Sequence, residues 1–147
     1  MRHLLIAGAI AAAIAAPAAA SDQTDVVGVV THFFTDPDLA AATKLCAADA
    51  VVIDDFAPHV WHGPDACAHW LKDYTAWSKA QGITPGPLTL GKARHAQVDG
   101  ATAYVVTPAK YTFDQKGKTI VHSATVTTAL RKAGGKWLIT GWAWGND

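Results

Sequence analysis

Hydrophobic positions recur in two rhythms along this chain, and the rhythm changes near residue 88. Val26, Val27, Val30, Phe33 and Phe34 fall at three- and four-residue intervals, which predicts a helix with one buried stripe. Ser21 to Thr24 offers N-cap side chains ahead of it, and Asp36-Pro37-Asp38 ends it. The Ala-rich stretch from Leu39 to Leu45 predicts a second, short helix capped by Asp36 or Asp38. Ala50 to Asp54, β-branched in its middle, reads as a strand, and Phe56 to Gly63 as irregular chain. Gly63-Pro64-Asp65 opens a third helix, with Pro in the first turn and an acid at the positive end. Cys67, Trp70, Leu71, Tyr74 and Trp77 mark its apolar face, Gly82 ends it, and Thr84-Pro85-Gly86-Pro87 reads as a loop.

From Leu88 the period shortens to two. Leu88–Val98 alternates imperfectly, and Asp99-Gly100 is a hairpin turn signal. Ala101–Phe113 is a long strand in which Pro108 implies an edge or a bulge. Lys118–Arg131 and Lys136–Trp144 follow, separated by turns at Asp114–Gly117 and Gly134-Gly135. Helices early and a meander of four antiparallel strands late indicate an α+β domain, not a βαβ one. A sheet curled around the helices leaves a cavity open at one end.

The N-terminus changes how the composition is read. A charged start at Arg2, an uncharged run from Leu4 to Ala16, a break at Pro17 and the small residues Ala18-Ala19-Ala20 have the order of an export signal. The apolar run is about 13 residues, short of the ~20 that span a bilayer. The expectation is cleavage after Ala20, no stable membrane anchor afterwards, and a periplasmic or secreted domain over 21–147. Without those 20 residues the chain is about 45% apolar with a net charge of about −1. No basic run is present, which argues against nucleic acid as a partner. In an exported chain, Cys46 and Cys67 are either a disulfide or two small buried thiols.

Several local patterns then resemble the NTF2-like superfamily, in particular its SnoaL-like and ketosteroid-isomerase-like branch. Val51-Val52-Ile53-Asp54 resembles the first strand, and Gly63-Pro64-Asp65-Ala66 with the Trp-bearing segment after it the third helix. Asp99-Gly100-Ala101-Thr102-Ala103 resembles the turn into the middle strand, and Gly134-Gly135-Lys136-Trp137-Leu138-Ile139 the last turn and strand. The resemblance implies a cone: a strongly bent antiparallel sheet wrapped over N-terminal helices, often paired into a homodimer through the sheet. It also implies a small, often hydrophobic molecule inside. It does not decide a reaction, because one fold hosts many.

Candidate chemistry gathers around that cavity. Asp54 and Asp55 close the first strand, where the resemblance places an acidic general base. Strand alternation allows only one of the two to point inward. Ile120, His122, Ala124, Val126, Thr128 and Leu130 share one face of the fourth long strand, and that face is the inward one. His122 could therefore pair with Asp54 in proton transfer, and Tyr111 could share the face across the hairpin. His59 is a candidate for the cavity mouth and Trp61 for its lining. His59, His62 and His69, with Asp55 or Asp65, could instead hold a metal if the loop bends suitably. Trp142 and Trp144 lie opposite Trp137 and Ile139 if the last strand is regular, an aromatic surface suited to pairing. A bulge near Gly141 would instead turn one of them into the cavity.

No nucleophile elbow, phosphate loop or dinucleotide fingerprint occurs, so no cofactor is called for. The reading is an exported domain that binds a small hydrophobic molecule. The alternatives are a proton-transfer enzyme of isomerase or dehydratase type, using an Asp base and a His, and a His-based metal-binding protein.

Overall fold

In this computed structural model, residues 16–147 are described, with side chains from Ser21 onward. Most of the expected export signal, residues 1–15, lies outside the described residues. Three helices precede or interrupt the early strands: α1 (Ala16–Thr35), α2 (Leu39–Ala42) and α3 (Ala66–Gln81). The strands are β1 (Cys46–Ile53), β2 (Val60–Trp61), β3 (Ile83–Leu90), β4 (His95–Asp99), β5 (Thr102–Gln115), β6 (Lys118–Ala133) and β7 (Lys136–Asn146). They form one curved, unclosed sheet in the order β2-β1-β7-β6-β5-β3, with β4 also on β5. No helix among the described residues is long and apolar enough to cross a membrane.

α1 starts upstream of the expected cap, so Ser21 to Thr24 lie within it and not ahead of it. Its buried stripe is the expected one, with Val26, Val30 and Phe33 at 0%, 1% and 3% exposure. Three β-branched or bulky residues per two turns are poor helix formers in isolation; packing against the sheet supplies the stability. α3 ends at Gly82, whose φ of 67° is left-handed and whose N–H caps the last turn at Lys79.

The antiparallel meander is present, but the sheet departs from the expected four strands. The stretch read as one strand over Leu88–Val98 is two, β3 and β4, both paired with the same side of β5. Pro108 sits where one stops and the other starts: β3 ends at Leu90 opposite Ala109, and β4 begins at His95 opposite Val106. The missing N–H therefore falls in a gap of the ladder, while the Pro108 carbonyl accepts from Gly91 N–H at 2.9 Å. A Cβ at Gly91 would stand 2.9 Å from the Pro108 ring, so this junction requires glycine. Thr84 to Pro87, read as a loop, belongs to β3. Pro85 and Pro87 are tolerated there because β3 is the sheet's edge and bulges between Pro85 and Leu88. β1 also joins β7 in parallel, the one non-antiparallel pairing among the described strands.

Cys46 and Cys67 are joined by a disulfide. It ties the start of β1 to the first turn of α3.

Candidate active site

One end of the cone is hollow. A partly enclosed cavity of about 540 Å³ opens between the C-terminal end of α1, the end of β1, α3, and the inner faces of β3, β5, β6 and β7. Ten of its 24 lining residues are Phe, Trp or Tyr, so the wall is aromatic and not aliphatic. Among the described residues no Lys or Arg lines it, and the ionisable groups that do are Asp36, Asp54, Asp55, His122 and the two phenols Tyr74 and Tyr111.

Asp54 is the most perturbed carboxylate. β1 ends at Ile53, and the next two residues turn into the loop before β2. Strand alternation therefore no longer separates them, and both Asp54 and Asp55 border the cavity. Asp54 Oδ2 accepts from the Trp70 indole N–H at 2.8 Å, and Oδ1 from the Asp55 backbone N–H at 2.8 Å. Burial pushes the carboxyl up to about 6, and the neighbouring charge of Asp55 adds to it. The two N–H donors pull the other way without prevailing. Asp55 is more exposed, and its Oδ2 accepts from the Asn146 amide at 3.0 Å.

Across the cavity, Tyr111 on β5 stands opposite His122 on β6 in the strand register. The alternation read for β6 is correct. Ala124, Val126, Thr128 and Leu130 are buried on the inner face, and His122 is half-buried at its open end. The His122 ring meets Trp144 edge-on, with centroids 6.1 Å apart. The Tyr111 hydroxyl is hydrogen-bonded to that of Tyr74. Burial and that bond raise the Tyr111 pKa further above its ordinary value, so it stays a neutral phenol. No hydrogen bond among the described residues joins His122 to Asp54; they share the cavity, not a contact.

Both late tryptophans face inward. The strand pairing slips by one residue between Ala129 and Leu130, which leaves Thr140 as an extra residue on β7. Trp137 and Ile139 are buried before the bulge, and Trp142 is buried after it with Trp144 beside the cavity. The expected outward aromatic face is thus absent, because the bulge reverses the phase of the strand. Trp142 packs edge-on against Trp70 at 4.8 Å and Phe34 at 5.3 Å between centroids.

Two expected site residues lie off the wall. The β1–β2 loop folds back so that Asp54 N–H donates to the His59 carbonyl at 3.0 Å. That leaves the His59 ring exposed against the Asp54 backbone oxygen at 3.2 Å. Trp61 is buried, but behind the cavity: its indole N–H donates to Asp73 at 2.8 Å and its ring packs on Phe56 at 4.9 Å. It supports Phe56, which does line the wall. The metal reading fails on the same geometry. His59, His62 and His69 are all exposed, and no three His, Cys, Asp or Glu side chains among the described residues converge to hold an ion.

Trp70 and Tyr74 were legible in the sequence only as one face of a helix. Their spacing of four puts the Asp54 donor and the Tyr111 partner on adjacent turns, with rings stacked at 5.5 Å.

A model of the SnoaL-like domain matches residues 24–143. Solved structures with the same fold include a ketosteroid isomerase-like protein from Erwinia carotovora atroseptica SCRI1043. Its TM-score is 0.67 at 16% identity, over 89% of this chain and 97% of that one. An NTF2-like protein with a cystatin-like fold from Novosphingobium aromaticivorans has a TM-score of 0.66 at 16% identity, over 86% and 82%. An NTF2-like protein of unknown function from Prochlorococcus has a TM-score of 0.64 at 14% identity, over 84% and 91%. At these identities the likeness extends to the fold alone. No curated protein matches the chain.

Proposed function

The chain belongs to the SnoaL-like domain family, and on that premise we propose that it is an exported domain that holds a small, largely apolar molecule in its cavity. The observation that carries this reading is the wall itself: a hollow of about 540 Å³ bordered by ten aromatic side chains, with a few polar groups converging on it. Ligand sites are commonly of the order of 300–1,000 Å³ with this mixture. Titration with 2-naphthol, read by tryptophan fluorescence, tests it. Saturable quenching is expected, weakened about tenfold in Trp142→Ala, and no saturable change would end the reading. Export is checked by N-terminal sequencing of protein from the periplasmic fraction, with Ser21 as the expected first residue. Pairing through the outer sheet face, where Val121 is 61% and Ile53 47% exposed, is checked by sedimentation equilibrium.

A second reading has a specific observation behind it. A carboxyl raised to about 6 beside an apolar cavity is tuned to exchange protons near neutral pH. In this reading Asp54 takes a proton from a carbon acid. Tyr111, steadied by Tyr74, or His122 donates a hydrogen bond to the oxygen on which charge develops. His59 has no part in it. If a screen finds a substrate for isomerisation or dehydration, Asp54→Asn should lower kcat by about 10²–10⁴. Wild-type activity should rise with pH through about 6 as the base ionises. Retention of full activity by Asp54→Asn would exclude the mechanism.

A further inference from the structure

Resting on the binding reading above, we propose that the cavity is made for an organic cation: an amine or quaternary ammonium group on an apolar body. Two independent features lead there. The first is the wall. Aromatic faces carry partial negative charge and attract a cation within about 6 Å of the ring centroid. Trp70 and Trp142 meet at 89°, Phe34 and Trp142 at 84°, and Trp70 and Tyr74 stack at 17°. These rings pack on one another in the cavity wall, and ten Phe, Trp and Tyr side chains border the one space.

The second feature is the sign of the charge around the cavity. The α1–α2 turn contributes Asp36, which His32 contacts at 3.2 Å. The loop after β1 contributes Asp54 and Asp55. α3 and β5 contribute only the phenols Tyr74 and Tyr111, β6 contributes His122, and β3 and β7 contribute no ionisable group. Both N–H groups that reach the Asp54 carboxylate, from Trp70 and from the Asp55 backbone, are neutral. Among the described residues Asp54 is hydrogen-bonded but not paired with a positive charge. A carboxylate or phosphate ligand would meet three acids and no Lys or Arg. A neutral ligand would leave Asp54 further desolvated and still unpaired. A cation supplies the missing partner and is bordered by the aromatic wall of the same cavity.

Three probes of one shape and different charge test this: benzyltrimethylammonium, its neutral isostere neopentylbenzene, and the anion phenylmethanesulfonate. Each is titrated into the mature protein at pH 7.5 and at pH 4.5, read by tryptophan fluorescence. The expected result at pH 7.5 is at least tenfold tighter binding of the ammonium than of neopentylbenzene, and no saturation with the sulfonate. At pH 4.5 Asp54 is protonated and the preference should fall severalfold. His122→Gln should keep that loss, which assigns it to the carboxylate and not to repulsion by a charged imidazole. Asp54→Asn should show the same reduced preference already at pH 7.5. The pH series on the unaltered chain answers the same question if that variant does not fold. Equal binding of ammonium and hydrocarbon at pH 7.5, or tightest binding of the sulfonate, overturns the cation inference and leaves the binding reading standing. Saturation by none of the three overturns the cation inference, and the 2-naphthol titration decides the binding reading separately.

Discussion

The two ends of this cone share α1, β5, β6 and β7 but are built from different side chains. At the closed end Val26, Val30, Val105, Val126, Leu130 and Ile139 are each at most 2% exposed, and none borders the cavity. These are aliphatic residues on α1 and on the alternating stretches of β5, β6 and β7, and they are packed out of reach of water. At the open end the same strands carry Tyr111, Phe113, His122, Trp142 and Trp144. There β7 has its bulge at Thr140, and β3 has one between Pro85 and Leu88. Large flat rings cannot interdigitate as aliphatic side chains do, and the bulges change the direction in which they point. The closed end holds the fold, and the open end holds a space. The teaching of the contrast is that stability and ligand affinity should be separable along one strand, within three residues of β7.

The largest expected effect tests that separation. Ile139→Ala, fully buried at the closed end, should cost about 2–5 kcal/mol of unfolding free energy in a urea titration. Probe affinity should stay within twofold under conditions where the variant is folded. Trp142→Ala, three positions on, should weaken probe binding about tenfold. If Ile139→Ala weakens binding as much as Trp142→Ala does, the two ends are not independent. Next in size is the Cys46–Cys67 bond, which spans the boundary by tying β1 to α3. The double variant Cys46→Ala, Cys67→Ala should lose about 3 kcal/mol, the chain-entropy value for a loop of about 20 residues. Mass spectrometry should show a two-dalton gain on reduction of the unaltered chain.

The same contrast explains which parts were legible in the sequence. β6 was read face by face because no bulge interrupts Ile120 to Leu130, so counting by twos keeps its phase. On β7 the count failed one residue after Ile139, and only the glycine at 141 hints at the irregularity. The turn-like Thr84 to Pro87 hid a strand, because its prolines are excluded from sheet interiors but not from a bulged edge. Gly86 there lies so close to β5 that a Cβ would be 2.4 Å from the Thr112 carbonyl, a packing demand that reads locally as a loop. Asp54 was legible as a candidate from its place at the strand's end. Its Trp70 partner was not, because helical periodicity says that a residue is buried but not what lies across from it. The closed end obeys local rules, and the open end departs from them where the space is made.

The smallest predicted effect has the opposite sign and bears on that departure. Asp54 has its pKa raised from 3.8 to about 6 in the folded chain, chiefly by burial. A raised carboxyl means that the folded state binds the proton more tightly than the unfolded one. Its favourable contribution is present below pH 4, declines between 4 and 6, and is gone above about 6. Above that pH the charged carboxylate is a burden on folding. A shift of this size corresponds to about 3 kcal/mol for a fully enclosed group, and partial solvation at the cavity edge reduces it to roughly 1–2 kcal/mol. Asp54→Asn keeps one oxygen, to accept the Trp70 N–H, loses the acceptor of the Asp55 N–H at every pH, and removes the charge. The variant's stability relative to the unaltered chain should therefore be higher at pH 7.5 than at pH 4 by that amount. Urea unfolding at the two pH values measures the difference directly. A relative gain at pH 7.5 over pH 4 identifies a carboxylate kept at the open end at the expense of stability. The same difference at both pH values would mean that Asp54 carries no such burden, and that the division of the cone into a stable base and a working mouth is drawn in the wrong place.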